Sequence, residues 1–416
     1  MRKFPRSLVL APTLWVLALL AACGGGGGNT SQVTTGGGGG GGSVPPTGNN
    51  YTTCNSQQVP NWRASGFMTN YQAAIQALIT HVSTASYASQ IGYIRIGLGR
   101  GGEINLPQGW NDSSSGACYS GYTTNWGYTV GSDASFTWNA YLQSMVQYEG
   151  SLNSPKELLV SITPVTGAGV AVDDFIAPIA VANGMSFGNQ GLEASDITNF
   201  PNCGGDWCQL FSQYPQTPVK ELQTLGQSCP ENTPCPNSLS TSTGPLDPLL
   251  PFAILHGAND LELYYQDWLI AYDPNYASSV GATADAVAYA DAIQAAAAAT
   301  GVQMQVLFPP QTGGTDYSDV QTYLMSNPAV TGTVIDVDWS DFDLGDTNAG
   351  THGNYDWTVT DNAIQSYTGT GKKVNLVLQN TTYGGGSTCP STGIGSNGNV
   401  ASNCAMPPWM WTVLAQ

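Results

Sequence analysis

The sequence predicts an α/β fold, a single (β/α)8 barrel with long loops. Short apolar segments rich in β-branched residues alternate along the chain with segments that carry apolar residues at helical spacing. About 365 residues follow the N-terminal leader and tether, enough for one barrel or for two modest domains. Because no second break in composition follows, we expect one domain, residues 50–416.

The N-terminus carries an export signal. Residues 1–22 contain three basic residues, then an apolar run, and end in Leu20-Ala21-Ala22 before Cys23. This pattern is typical of a secretory signal and resembles a bacterial lipobox, in which Cys23 becomes the lipidated first residue. A plain cleaved signal is the alternative. We expect export and anchoring to the cell envelope, at the outer membrane.

Residues 23–49 form the predicted tether. The stretch Gly24–Gly42 contains twelve glycines separated by small polar residues, a composition that buries no apolar surface. We therefore expect a flexible spacer between the lipid anchor and the barrel.

The charge balance excludes one class of partner. The chain has 28 acidic and ten basic residues, and removal of the signal leaves seven basic ones, a net charge of about −21. Nucleic acid is not expected as a partner because phosphate binding needs a basic surface. Only 9% of residues are charged, a composition common in exported proteins that handle neutral ligands.

Eight cysteines remain besides Cys23, and an even number in an exported chain favours disulfides. Their sequence distances suggest the pairs Cys203–Cys208, Cys229–Cys235, Cys389–Cys404 and Cys54–Cys118. The spacing of Cys203 and Cys208 also suits a metal knuckle, but no histidine lies nearby. We expect no metal and no cofactor.

The most informative stretch is Gly92–Pro107, GYIRIGLGRGGEINLP. An apolar run that includes Arg95 predicts a strand, and the glycines after it allow a sharp turn that presents Glu103 past the strand end. Catalytic groups of parallel barrels gather at this end of the strands, so Glu103 is a candidate acid or base. The alternative is a loop glutamate that caps a helix or faces water.

This stretch carries a resemblance. GLGRGGEINLP resembles the GLGPxGELRYP-type segment of β-amylases, which are barrel glycosidases, and departs from it at Arg100, Asn105 and Leu106. The resemblance implies that Glu103, after the fourth strand, is the catalytic acid. It points to a sugar-cleaving barrel more strongly than to starch as the substrate.

The remaining pattern predicts the other elements in order. Helices are predicted over 68–85, 138–150, 174–183 and 284–300, and strands over 157–165, 184–192 and 302–308. His81, in the first helix, is expected at the surface or in packing. The Cys-, Pro- and Ser-rich segment 202–247 is predicted to be a disulfide-bound surface insertion.

A second carboxylate lies in Asn259–Pro274, NDLELYYQDWLIAYDP. Strand periodicity places Glu262, Tyr264 and Gln266 on one face. A glutamate in the middle of a barrel strand must face the interior near its open end, or it would be buried without a partner. LELYYQD loosely resembles the β-amylase segment that bears the second catalytic glutamate on the seventh strand, which implies that role for Glu262.

The C-terminal part resembles the start of the same family. VIDVDWSDFD followed by Asn354–Trp357 resembles its first strand and loop, 373–384 has the place of the second strand, and CAMPPWMW at 404–411 resembles the third. The resemblance implies a sugar-binding role for Asp336 and a barrel whose strand order is circularly permuted. Accidental similarity is the alternative.

Sugar-binding residues are expected around the strand ends. Those predicted to bind the sugar are Asp336, Asn189, Gln190, Tyr264 and Arg95, with Trp110, Trp339 and Trp409 as stacking platforms. Loop aromatics that only pack against the barrel, and amides that satisfy the backbone, are the alternatives.

The leading hypothesis is a lipid-anchored glycoside hydrolase that uses Glu103 and Glu262 as its two carboxylates, the second as base or nucleophile. The alternatives are a carbohydrate-binding lipoprotein without turnover and a structural cell-surface protein. The oligomeric state is not predicted.

The lipobox generates a test. Replacing Cys23 with Ala removes the acceptor of the lipid, so the variant should move from the membrane fraction to the soluble fraction. Immunoblots of fractionated cells measure this. Membrane attachment that is unchanged in the variant would refute the lipobox.

Overall fold

The structure is a computed structural model of the chain. It describes residues 51–54, 57–99, 102–104, 137–162, 172–199, 201, 206–226, 244–311, 314–345, 353–380 and 405–414. The chain divides into a unit of Met1–Gly42, outside the described residues, and a unit of Ser43–Gln416 that contains the barrel.

The strands alternate with helices from residue 65 onward. The described strands are β1 (Tyr51–Cys54), β2 (Gln57–Pro60), β3 (Ile91–Ile96), β4 (Glu157–Ser161), β5 (Ser186–Leu192), β6 (Lys220–Thr224), β7 (Asp260–Tyr264), β8 (Gln303–Leu307), β9 (Gly332–Asp338) and β10 (Lys373–Gln379). The described α-helices are α1 (Ser65–Thr84), α2 (Thr137–Ser151), α3 (Val172–Ala182), α4 (Ala194–Asn199), α5 (Asp206–Gln213), α6 (Leu246–Leu255), α7 (Tyr265–Tyr272), α8 (Pro274–Ser279), α9 (Ala286–Ala297), α10 (Gly314–Asp319), α11 (Thr358–Thr368) and α12 (Pro408–Leu414).

Strands β3 to β10 form a closed barrel. They follow one another in chain order, all pair in parallel, and β10 closes the ring beside β3. A ring of eight parallel strands with helices between them is a (β/α)8 barrel, so the predicted fold class is confirmed. The hairpin of β1 and β2 is a separate antiparallel pair.

Alternation along each strand separates two regions of packing. In β7, Leu261 and Leu263 point outward into the main core with the helices, while Glu262 between them faces the barrel interior. A smaller apolar cluster of Leu307, Val334 and Val377 lies apart from the main core, on β8, β9 and β10. Elsewhere the interior includes polar residues such as Arg95, Glu221 and Glu262.

The segment predicted to be a surface insertion contains a barrel strand. β6 has the sequence KELQT and is buried along its whole length between β5 and β7. Its polar side chains carry no hydrophobic signal because Glu221 and Gln223 face the polar interior. The prediction for 202–247 is therefore wrong at 220–224.

The permuted strand assignment is also wrong. The eight strands between residues 91 and 379 complete the ring, and Ile94 pairs with Leu376 and Leu158 rather than with Trp409. The stretch predicted to be a strand at 404–411 enters helix α12, which begins at Pro408 and packs against α1 through Val413. Proline fits the first helical position because its missing N–H has no partner to lose there.

The prediction for His81 has an outcome here, whereas the signal in residues 1–22 lies outside the described residues. His81 on α1 forms a hydrogen bond with Asp361 on α11 at 2.7 Å and stacks on Trp357. These contacts confirm its packing role. Cys208 is buried and disulfide-bonded, while the proposed pairings stay predictions because most of the cysteines lie outside the described residues. In the described part of the chain, no helix is both long enough and apolar enough to cross a bilayer.

Candidate active site at the mouth of the barrel

Arg95 lies at the centre of the barrel interior. Its side chain is 1% exposed, and its guanidinium contacts Glu262 Oε2 at 3.1 Å and Glu221 Oε2 at 3.3 Å. The second terminal nitrogen donates to Gln223 Oε1 at 3.1 Å. One buried cation is therefore shared by two fully buried carboxylates, which Arg95 joins across strands β3, β6 and β7.

Neighbouring residues hydrogen-bond the two carboxylates and leave space for them. Gln190 donates to Glu221 and accepts from the Ser161 hydroxyl, and Tyr93 donates to Glu262. Gly188 on β5 leaves room for Glu221, because a Cβ there would lie 1.9 Å from Glu221 Oε2. We call Arg95, Glu221, Glu262, Gln190 and Tyr93 the central network.

The central network holds more acid than base. Burial and the adjacent Glu262 raise the pKa of Glu221, and Arg95 opposes this shift. Below it, burial and Glu262 raise the pKa of Asp260 to about 8, against a hydrogen bond from Gln305 at 2.9 Å. Burial acts to lower the pKa of Arg95, but Glu262 and Glu221 outweigh it and the pKa rises. The surroundings therefore favour the charged form of Arg95 and the protonated forms of Glu221 and Asp260.

Glu262 lies inside this network and not at the strand end. It faces the barrel interior, as predicted, but its side chain is fully buried, with Oε1 bonded to Tyr93 and Oε2 to Arg95. Tyr264, two residues later on the same face, is the partly exposed residue at the end of β7. A substrate at the strand ends therefore meets Tyr264 before Glu262.

Glu103 lies at the mouth of the barrel. Its carbonyl accepts from the backbone nitrogens of Leu98 and Gly99, at 3.1 and 2.6 Å, which closes a turn after β3. Gly102 in this turn has φ +75°, and a Cβ there would lie 2.4 Å from the Val377 side chain and 3.7 Å from Gln379. The turn thus folds over β10, and the Glu103 side chain is 8% exposed.

Asp336 and Tyr264 share this mouth with Glu103. Asp336 is partly exposed near the end of β9, and Gln379 Nε2 donates to its Oδ1 at 2.6 Å. Burial raises the pKa of Tyr264 to about 12, and the charges of Glu103 and Asp336 add to this rise. Gln223 links Tyr264 to Arg95 below. Two carboxylates and one phenol therefore lie at the same end of the barrel.

The aromatic residues at the mouth differ from those predicted. Trp339 is fully buried, donates to Asp343 at 3.0 Å and packs against Phe67 and Tyr71, so neither face of its ring is open to a sugar. Trp409 is 8% exposed and packs edge-on against Trp339. We therefore correct the stacking role predicted for both residues.

Phe308 is an aromatic residue at the mouth that sequence analysis did not identify as part of the site. It follows β8 directly, is partly exposed, and has φ +48°, a left-handed conformation that costs a side-chain-bearing residue of order 1–3 kcal/mol. Its ring lies 6.2 Å from that of Tyr264. Strain of this kind clusters at functional sites, so Phe308 is the better candidate for an aromatic wall.

The predicted amides divide between two roles. Asn189 Oδ1 accepts a hydrogen bond from the backbone nitrogen of Gly191 at 2.8 Å, within the irregular part of β5. Its side chain is therefore used by the backbone and does not face the mouth. Gln190 belongs to the central network. Arg95 is likewise a buried interior residue and not a surface ligand group. Trp110 lies outside the described residues.

Sequence analysis missed several residues of the site. They are Glu221, Gln223, Asp260, Phe308, Asp338 and Gln379. Asp338 lies two residues after the inward-facing Asp336, and Gln379 lies two residues after the inward-facing Val377. Strand alternation was therefore the signal that could have identified both residues. β6 offered no such signal.

The site has no match among known families. Comparison with known proteins finds no family model and no curated protein that matches the chain. Within the described residues, no group of three or more His, Cys, Asp or Glu side chains is arranged to hold a metal ion. The chemistry must therefore be argued from the barrel and its side chains.

The central network generates a test of stability. Replacing Arg95 with Met leaves two buried carboxylates without their cation, and we expect a loss of about 3–5 kcal/mol in the free energy of unfolding at neutral pH. The loss should shrink on acidification, because the folded variant holds protons on Glu221 that its unfolded chain releases above a pKa of about 4.3. Urea denaturation at several pH values measures both effects.

The matched control is Arg63→Met, since Arg63 is an exposed arginine before α1. Its unfolding free energy should change by less than about 0.5 kcal/mol. An Arg95→Met protein as stable as the Arg63→Met protein would contradict the account of the network.

Proposed function

We propose that the protein is a glycoside hydrolase that cleaves O-glycosidic bonds of an oligosaccharide or polysaccharide at the mouth of its barrel. The observation that supports it is the placement of Glu103, held nearly buried by a tight turn over β10, where Gln379 hydrogen-bonds a second carboxylate, Asp336. Two carboxyl groups in unlike surroundings at one cleft are the usual equipment for this reaction.

Glu103 would act as the proton donor to the leaving glycosidic oxygen. Glu103 is 8% exposed, so little water competes with a substrate for its carboxyl group. The resemblance of GLGRGGEINLP to the catalytic-acid segment of β-amylases gives the same role to Glu103. Tyr264 and Gln379 would hydrogen-bond sugar hydroxyls, and Phe308 would pack against a ring face.

The charge of the site favours a neutral sugar. Glu103, Asp336 and Asp338 lie at this end of the barrel, and Arg95, the nearest cation among the described residues, is already paired with two carboxylates. An anionic substrate would meet unscreened negative charge in a cleft of low dielectric. We propose that the enzyme is exported and lipid-anchored through Cys23, so that it meets glycans at the cell envelope.

A carbohydrate-binding lipoprotein without turnover is the second candidate. The observation that favours it is the burial of Glu262, since one of the two carboxylates predicted to react has both oxygens occupied inside the barrel. In this case sugars would bind at the mouth, and no reducing ends would appear.

Replacing Glu103 with Gln tests the proposal. The amide keeps the shape and hydrogen bonding of the side chain but donates no proton to the leaving oxygen, so kcat should fall by about 10²–10⁴-fold with sugar binding retained. Reducing-sugar release from a panel of neutral glycans by the signal-less protein measures turnover, and calorimetry measures binding.

Glu157→Gln is the matched control, because Glu157 begins β4 and so lies at the opposite end of the barrel. It should keep wild-type turnover. Hydrolysis that survives in Glu103→Gln would remove Glu103 from the mechanism, and sugar binding by the wild type without hydrolysis would favour the binding protein.

A further inference from the structure

We infer that Asp336, and not Glu262, is the second reacting carboxylate: the base that activates the attacking water opposite Glu103. This inference rests on the proposed glycosidase function and assigns Asp336 a role beyond sugar binding. Glu262 becomes a positioning residue that acts through Arg95.

Accessibility separates the two carboxylates. Glu262 is fully buried, and each of its oxygens already has a partner, Tyr93 or Arg95. Asp336 is partly exposed at the end of its strand, where substrates of (β/α)8 enzymes bind. A base must come within hydrogen-bond reach of the water it deprotonates, and of these two groups Asp336 alone is open to water.

The strand order places Asp336 near Glu103. β9 pairs with β10, and β10 pairs with β3, so Gln379 on β10 lies between the two carboxylates. A Cβ on Gly102, the residue before Glu103, would lie 3.7 Å from Gln379 Cγ, and the same Gln379 donates to Asp336. Gln379 therefore lies next to both the Glu103 turn and Asp336.

Gln379 also orients the carboxylate. Its Nε2 lies 2.6 Å from Asp336 Oδ1, which fixes the plane of the group. Oδ2 makes no hydrogen bond to the described residues and is the oxygen that would accept a proton from water. A base held by one amide and open on its other oxygen is pre-organised for this step.

The surroundings of Asp336 suit proton transfer near neutral pH. Burial raises its pKa to about 6, helped by Glu262 and Asp341 and opposed by Gln379 and Arg95. Tyr264 and Glu103 face it across the mouth, and Asp338 follows it on β9. A base whose pKa lies close to the working pH combines the correct protonation state with a useful driving force.

The step balances without a co-reactant. Water attacks the anomeric carbon as its proton passes to Asp336, the bond from that carbon to the glycosidic oxygen breaks, and Glu103 gives its proton to the leaving oxygen. The products are a free reducing sugar and an alcohol, and proton exchange with solvent restores both side chains. Attack by water in a single displacement inverts the anomeric centre.

The central network lies deeper in the barrel than the pair of Glu103 and Asp336. Arg95 holds Gln223, which bonds Tyr264, and its charge counteracts the rise in the pKa of Asp336. Loss of the Glu262 charge would change the position of Arg95 and weaken the barrel without removing a group that touches substrate.

The experiment compares Asp336→Asn, Glu262→Gln and a control, Asp291→Asn, on a neutral glycan that the wild-type protein hydrolyses. Asp291 is exposed on α9, away from the mouth. Asp336→Asn should lower kcat by about 10²–10⁴-fold with KM little changed, and should lose the acid limb that we expect in the wild-type kcat/KM near pH 6. Glu262→Gln should keep that limb and lose unfolding free energy, and Asp291→Asn should match the wild type.

Two results would overturn the assignment. One is wild-type kcat or an intact acid limb in a folded Asp336→Asn protein; the other is abolition of turnover by Glu262→Gln at unchanged stability. If Asp336→Asn does not fold, Asp336→Glu replaces it, and an acid limb that fails to move with the longer side chain would also overturn the assignment. A wild-type protein that hydrolyses no glycan in the panel would instead refute the proposed function, and the inference with it.

Discussion

The rest of the structure depends on the burial of one cation, Arg95, between two carboxylates inside a closed barrel. Removing three charges from water is costly, and such a group persists when each member is paired and hydrogen-bonded. The barrel meets this condition through Tyr93 and Gln190, and through the absence of a side chain at Gly188. This network explains the polar residues of β6, since Glu221 pairs with Arg95 and Gln223 accepts a hydrogen bond from it.

This network divides the barrel interior into a floor and a mouth. Below, Asp260 and Gln305 extend the hydrogen bonds away from the strand ends, and to one side Leu307, Val334 and Val377 fill the space with apolar atoms. Above, Asp336 and Tyr264 are partly exposed near the strand ends, and Glu103 follows β3 at the same end of the barrel. Because Arg95 already pairs with Glu221 and Glu262, we assign the proposed chemistry to the residues of the mouth.

The sequence allowed the fold class, most strands and the position of Glu103 in a turn after β3 to be predicted, because apolar alternation and glycine-rich turns are local signals. It failed at β6, whose inward-facing residues are polar and therefore lack that alternation. The sequence analysis counted 404–411 as the eighth strand in place of β6, because its resemblance to a family segment outweighed the Pro407-Pro408 pair at the start of α12. Trp339 and Trp409 were assigned to the ligand because sequence does not separate a tryptophan packed under α1 from one that lines a cleft.

The most direct test of the central claim, that chemistry occurs above a closed Arg95 network, is a crystal structure of the Glu103→Gln protein with an unhydrolysed neutral oligosaccharide. The account predicts a glycosidic oxygen within hydrogen-bond reach of the side chain at position 103, at about 2.6–3.2 Å. It also predicts a water between Asp336 and the anomeric carbon, with Arg95 still paired with Glu221 and Glu262. A sugar that contacts Glu262 directly, or that binds away from the mouth, would contradict it.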